Sequence, residues 1–263
     1  MSDICLRLDG VISKYIRPLT FPVAVKFFKE GEALPPKTKV PTEAFGHPIA
    51  ICQGISIARK YGWSLAFYQK DQACPLAQII LGYKEEPDFI KDGSVIKNLY
   101  TDNDEAAIKT QESTPKMPNA DTHCLVVAPL HNAAFDPDVV VCYGNAAQIT
   151  RFVQGALYKT GGYIESRFAG RGACGGEITV PYTQNRCNVI IPGGGERVFA
   201  LTADDELAFA MPAGKIQDVM AGLEATHKGG VARIPTPVAG LASQPDFPKY
   251  YHDLEVYCGL TEE

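Results

Sequence analysis

Three cysteines have the setting in which a thiolate forms easily. Cys74 precedes Pro75, so it takes the N-cap of a helix that starts on proline. Cys52 falls in the first turn of an amphipathic segment, and Cys174 sits among glycines in Arg171-Gly172-Ala173-Cys174-Gly175-Gly176. Backbone N–H groups and the helix dipole favour a thiolate at a helix start. Glycines let backbone approach a ligand closely, and Arg171 adds positive charge beside Cys174. Cys74 and Cys174 also close matching stretches: Gly62-Trp63, Tyr68 and Ala73-Cys74 are answered by Gly162-Tyr163, Phe168 and Ala173-Cys174. Two copies of one unit about a pseudo-twofold axis would bring the two thiols face to face and make a metal or redox site from residues far apart in sequence.

The remaining chemistry-bearing residues say less. Pro192-Gly193-Gly194-Gly195-Glu196-Arg197 reads as an N–H nest for a phosphate or carboxylate, with Arg197 completing the charge, or as a plain hairpin. No Lys-Ser/Thr and no following helix is evident, so it is neither a P-loop nor a dinucleotide fingerprint. Lys26 interrupts an apolar strand and either points into the same cleft or guards a sheet edge. The five histidines form no ligand pair, and Asp204-Asp205 reads as a turn.

Composition limits the partners. The chain has 263 residues, 46% hydrophobic and 21% charged, with a formal charge of -5. This balance lacks the basic face that nucleic acid or an anionic membrane requires. No window holds the roughly 18 apolar residues of a membrane span, and Met1 to Cys5 lack a signal-peptide pattern. A cytoplasmic setting follows, in which eight cysteines read as free thiols or metal ligands rather than disulfides. No Cys-x-x-Cys occurs, so any metal site is assembled by the fold. Cys5, Cys124, Cys142 and Cys258 read as small buried hydrophobes.

Elements that would position these residues follow from periodicity and turn signals. Helices are expected at 3–17, 52–60 and 75–82, from Asn145 to Gly161, and around Ile216 to Leu223. Strands are expected at 22–28, 64–69, 124–129, 138–143 and 163–168, with several short ones from 177 to 211. Residues 83–120 read as a helical insertion, with short helices at 94–99 and 104–110. The fold expectation is α/β, a mixed sheet with helices, in one domain over residues 1–235. Its two related halves span about 20–82 and 122–211, and residues 236–263 form a surface-packed tail.

Several blocks in this order resemble a known family: Pro22-Val23-Ala24-Val25-Lys26-Phe27, Cys52-Gln53, Cys74-Pro75, Val126 to Leu130, Pro137 to Val141 with Gly144-Asn145, Gln154 to Tyr158 and Asp204 to Ala208. The family is known only as domain of unknown function 169, and the likeness covers about residues 8–225. It implies a cysteine pattern suggestive of an iron–sulfur centre in largely anaerobic organisms, falling here on Cys52, Cys74 and Cys174. The fourth thiol of that pattern belongs to a Pro-Cys-x-Gly-x-Arg block, where this chain has Gly193. Either Cys187 supplies the fourth ligand or one iron stays open for Lewis-acid chemistry. The expected function is therefore a cytosolic iron–sulfur protein, 4Fe–4S in type, with a redox or Lewis-acid role on a small anionic substrate near Gly193 to Arg197. A redox partner protein and a homo-oligomer fit that reading equally. The other readings are a metal-free accessory subunit that binds a cofactor or partner, and a structural zinc or thiol site.

Overall fold

The computed structural model describes residues 2–229 and 248–260. Helix α1 (Asp3–Tyr15) leads to strand β1 (Val23–Phe28), the short helix α2 (Pro41–Phe45), α3 (Ile51–Tyr61), β2 (Leu65–Phe67) and α4 (Pro75–Ile80). Next come α5 (Asp88–Lys91), α6 (Asp104–Glu112), β3 (Cys124–Pro129), β4 (Val139–Gly144) and α7 (Ala146–Leu157). The chain continues through α8 (Val180–Gln184), β5 (Asn188–Ile190), α9 (Gly194–Ala200), β6 (Leu207–Pro212), α10 (Ile216–Lys228) and α11 (Lys249–Tyr257).

The six strands form one sheet in the order β2-β3-β1-β4-β6-β5, and every ladder is antiparallel. This is the α/β class expected from the sequence, but the sheet is antiparallel throughout rather than mixed. The central strands β1, β3 and β4 are nearly continuous apolar runs, as strands covered on both faces must be. Alternation divides their side chains between two cores. Ala24, Val126, Val140 and Phe209 meet α1, α7 and α10 on one face. Val25, Val127, Val141 and Ala210 meet α3, α4 and the segment around Ile178 on the other.

Helix α3 presses close to the sheet because Gly54 has no side chain; a Cβ there would lie 2.4 Å from the Phe67 ring. On the opposite face, Gly155 of α7 meets Gly222 of α10, where a Cβ on Gly222 would lie 1.9 Å from the Gly155 carbonyl oxygen. Thus the helices that follow β1 and β4 lie on opposite faces of the sheet, although the sequence pairs their surroundings. An axis normal to the sheet that exchanged the adjacent antiparallel strands β1 and β4 would leave both helices on one face.

Several local expectations change. Residues 163–168 form no strand. They lie along the edge strand β5 and are fastened by side chains: Val189 N–H donates to Ser166 Oγ, and the Arg186 guanidinium donates to the Glu165 carbonyl. The run after Cys174 is helical. Residues Gly175–Thr179 make a π-helical turn that continues into α8, although Ile178-Thr179-Val180 favours strand locally. Burial decides against the propensity, since Ile178 is fully buried against the sheet and α4. The glycine triplet likewise opens a helix, with Gly193 at the N-cap of α9. In the insertion, the first helix is α5 at Asp88–Lys91, and 94–99 is a series of turns. Of the tail from 236 onward, only 248–260 are described, and they carry the exposed helix α11.

Candidate functional site

On the α3 face of the sheet is a cavity of about 540 Å³. Cys52, Cys74 and Cys174 all line it, together with Arg171, Gly193 and Glu196. The buried side chain of Gln72 aligns the first two thiols. Its Oε1 accepts the N–H of Ile51 at 3.2 Å and that of Cys74 at 3.1 Å, tying the start of α3 to the start of α4. The third thiol is held by the π-helical turn, where Thr179 Oγ1 donates to the Ile80 carbonyl at the end of α4 (3.1 Å). The insertion roofs the cavity with Phe89, Ile90, Val95 and Ile96. Around the mouth, Phe89, Tyr100 and Phe199 each keep more than half of their surface exposed.

Burial overturns one expectation about these thiols. Cys52 is pushed up to about 12 by desolvation, then by the charges of Glu196 and Glu177, and Cys174 is driven well above the usual thiol range by desolvation, then by the neighbouring Cys74 and Glu177. The cost of an ion in an apolar wall outweighs whatever the short helix starts supply. Without a bound cation Cys52 and Cys174 stay neutral. A metal reverses that balance, because a coordinating thiol is deprotonated outright.

Beneath the thiols lies a carboxyl pair that the sequence signals only faintly. The Tyr143 hydroxyl is 2.5 Å from Glu177 Oε1 and 2.8 Å from Glu196 Oε1, and all three groups are buried. A hydroxyl has one proton to donate, so it serves one carboxylate and accepts from the other as a carboxylic acid. Burial raises both carboxyls, Glu177 the more strongly because the Glu196 charge adds to it. The set therefore keeps a proton between its members, and Glu177 is the carboxyl pushed further toward the neutral form. Oε2 of each glutamate has no hydrogen-bond partner. Arg59 supports the group from outside. It forms a two-point ion pair with Glu206 (2.6 and 2.9 Å) and stacks its guanidinium 4.1 Å from the centre of the Tyr143 ring. The signal in the sequence is a lone acid in each of two small-residue or apolar stretches, Gly175 to Val180 and Gly193 to Ala200.

Other expected site residues lie elsewhere. Cys187 packs against the core on the opposite face of the sheet, because successive residues of an extended chain alternate sides and Asn188 takes the cavity side. Arg197 points out of the cavity and donates to the Ala203 carbonyl. Gly193 and Gly195 line the cavity, but in front of Glu196 rather than Arg197. Lys26 shares its strand face with Ala24, away from the thiols, and lies 5.8 Å from the Phe28 ring.

Among the described residues, no group of three or more His, Cys, Asp or Glu side chains is placed to hold a metal ion as they stand. The three thiols that line the cavity are donors of the kind that both a zinc ion and an iron–sulfur cluster take. Tetrahedral zinc draws its sulfur atoms to about 2.3 Å from one point, whereas a cluster brings its own sulfide and spans the space between thiolates. Cys52, Cys74 and Cys174 would hold it, and no cysteine stands at the Gly193 position. Among the described residues, no helix is long and apolar enough to cross a membrane.

Comparison with known proteins gives a family without an activity. The family model for domain of unknown function 169, described as uncharacterised ArCR, matches residues 11–222. An uncharacterised protein of Methanocaldococcus jannaschii, MJ0308, is 28% identical over 205 residues, covering 77% of this chain and 86% of that protein. No solved structure matches the chain. A match over residues 11–222, most of its length and a stretch that includes all three cavity cysteines, means that the chain belongs to the domain of unknown function 169 family.

Proposed function

We propose that the cavity holds an iron–sulfur cluster of 4Fe–4S type through Cys52, Cys74 and Cys174, and that one iron has no protein thiolate. The carrying observation is that three cysteines from distant segments line one cavity; the family resemblance implies a fourth thiol where this chain has Gly193. Such a centre supplies either an electron or an open Lewis-acid site. Arg171 on the same wall suits a small anionic substrate, and the buried Glu177–Tyr143–Glu196 set suits proton exchange with it. The reading includes a cytoplasmic, anaerobic setting, because exposed clusters of this kind do not survive oxidants.

Anaerobic purification and reconstitution test it through iron and sulfide analysis. Iron with matching sulfide and broad visible absorption is expected. Each of Cys52→Ser, Cys74→Ser and Cys174→Ser should remove most of the iron, and Cys187→Ser should keep it. A colourless, iron-free protein after reconstitution overturns the proposal.

The exposed apolar mouth favours a second reading. Phe89, Tyr100 and Phe199 offer a surface that a metal-free accessory subunit would use to hold a cofactor or partner. That reading requires binding to survive replacement of all three cysteines by serine.

A further inference from the structure

A second cavity, of about 530 Å³, opens on the other side of the strip Arg171-Gly172-Ala173, which forms part of the wall of both chambers. Arg171 is half-buried, and among the described residues it has no ion pair. Its partners are Gln111 Oε1 at 2.9 Å and the Tyr100 ring at 5.6 Å. A guanidinium removed from water without a counter-ion is costly, and an incoming anion relieves that cost. Desolvation already lowers its pKa.

Asn188 makes the complementary statement. It begins β5 on the cavity side and is 3% exposed. Its Nδ2 donates to the Gly176 carbonyl at 2.9 Å, which fixes the amide orientation, and its Oδ1 has no partner. A buried carbonyl oxygen in that state is short of a donor, which a ligand or an ordered water supplies. Gly176 keeps the space open, since a Cβ there would stand 3.2 Å from Asn188 Nδ2. At the rim, Arg167 pairs with Glu165, and Arg186 leans on Gln184. The charged lining totals three arginines (Arg167, Arg171, Arg186) against two glutamates (Glu112, Glu165), an excess of one positive charge.

We propose that this second cavity binds a small organic anion that also carries a hydroxyl or amino donor, with the anionic group at Arg171 and the donor at Asn188 Oδ1. The inference rests on the reading of this protein as one that acts on a small anion, and it stands apart from the cluster. Arg171 faces both chambers, so the bound anion lies next to the wall that carries Cys174. Bidentate recognition by arginine suits carboxylate and phosphate equally. The donor separates a hydroxylated anion from its plain counterpart, because a site with a buried acceptor discriminates strongly against a ligand that leaves it unpaired.

Calorimetry on the full chain tests this with acetate against glycolate and methyl phosphate against glycerol phosphate. In at least one pair the hydroxylated member should bind about tenfold more tightly. Arg171→Gln should weaken that binding by about tenfold or more, with partial retention in Arg171→Lys. Asn188→Leu should bring the two members of the pair within about twofold of each other, because it removes the acceptor and not the charge. Arg197→Gln, outside the cavity, should bind as the parent does. No heat from any of the four probes, or unchanged binding in Arg171→Gln with a parent-like thermal melt, overturns the inference. Iron analysis of the same samples separates the two claims: iron uptake without anion binding removes this inference and the anionic substrate with it but leaves the cluster, and anion binding without iron removes the cluster alone.

Discussion

The two faces of the sheet are built from similar apolar side chains and serve different ends. On the α1, α7 and α10 face, helices close on one another through Gly155 and Gly222, and the side chains of α7 find partners almost throughout. Even the buried Arg151 donates to Gln154, Thr226 and the Leu223 carbonyl, leaving only Nε unsatisfied. On the α3 face the helices stand apart around two cavities, and Glu177 Oε2, Glu196 Oε2 and Asn188 Oδ1 are buried without partners. An unmade buried hydrogen bond costs about 1–3 kcal/mol. Costs gathered on one face mark that face as the working side, supported by the stability of the other.

The largest effect should come from filling the closed side. In Gly222→Ala the new methyl meets backbone at 1.9 Å, which no rotamer change relieves. A loss of about 3 kcal/mol is expected in urea unfolding, at the upper end for overpacking. The same change at Gly195, in α9 on the open side, meets only the Phe199 ring at 3.6 Å and replaces a poor helix former. Gly195→Ala should stabilise by up to about 1 kcal/mol. Equal responses at the two glycines would break the contrast.

The next prediction changes the pH dependence of stability. Glu177 is a carboxyl whose folded pKa is raised above the ordinary 4.5 by burial and by Glu196. Its contribution is therefore complete below about pH 4.5 and is lost as pH rises toward the folded value, by up to about 1.4 kcal/mol per pH unit. Glu177→Gln cannot ionise, so the variant should show a flatter fall between pH 5 and pH 8 and be at least as stable as the parent at neutral pH. Identical slopes in urea melts across that range would mean that Glu177 is not the proton holder.

How much of this was legible in the sequence follows the same division. The apolar runs at Val23 to Phe28, Cys124 to Pro129 and Val139 to Gly144 announced the central strands, since a strand buried on both faces needs nothing but apolar residues. Cys74 before Pro75 announced a helix start. The run Gly175 to Val180 misled, because β-branched residues favour strand locally while their burial against the sheet and α4 is set by residues far away. Nor does local pattern show that the polar insertion becomes a roof, or that Glu196 turns inward where Arg197 turns out. Neighbours on one helical turn look alike in sequence, and only the packing of α9 against α3 decides between them.

The smallest effect is the most direct probe of the open face. With Cys52 at about 12, its thiolate fraction at pH 8 is on the order of one in ten thousand, and the thiolate is the species that alkylates. Iodoacetamide should therefore modify the exposed Cys258 at least about a hundredfold faster than Cys52 in metal-free protein, as read by peptide mass analysis. Glu196 is the largest charge acting against that thiolate, after burial itself. Glu196→Gln should speed labelling of Cys52 across the pH range and leave Cys187, on the far face, unchanged. Labelling of Cys52 as fast as Cys258 would mean that the cavity is open to water. In that case burial neither keeps the thiols neutral nor supplies the reason they would need a metal to ionise.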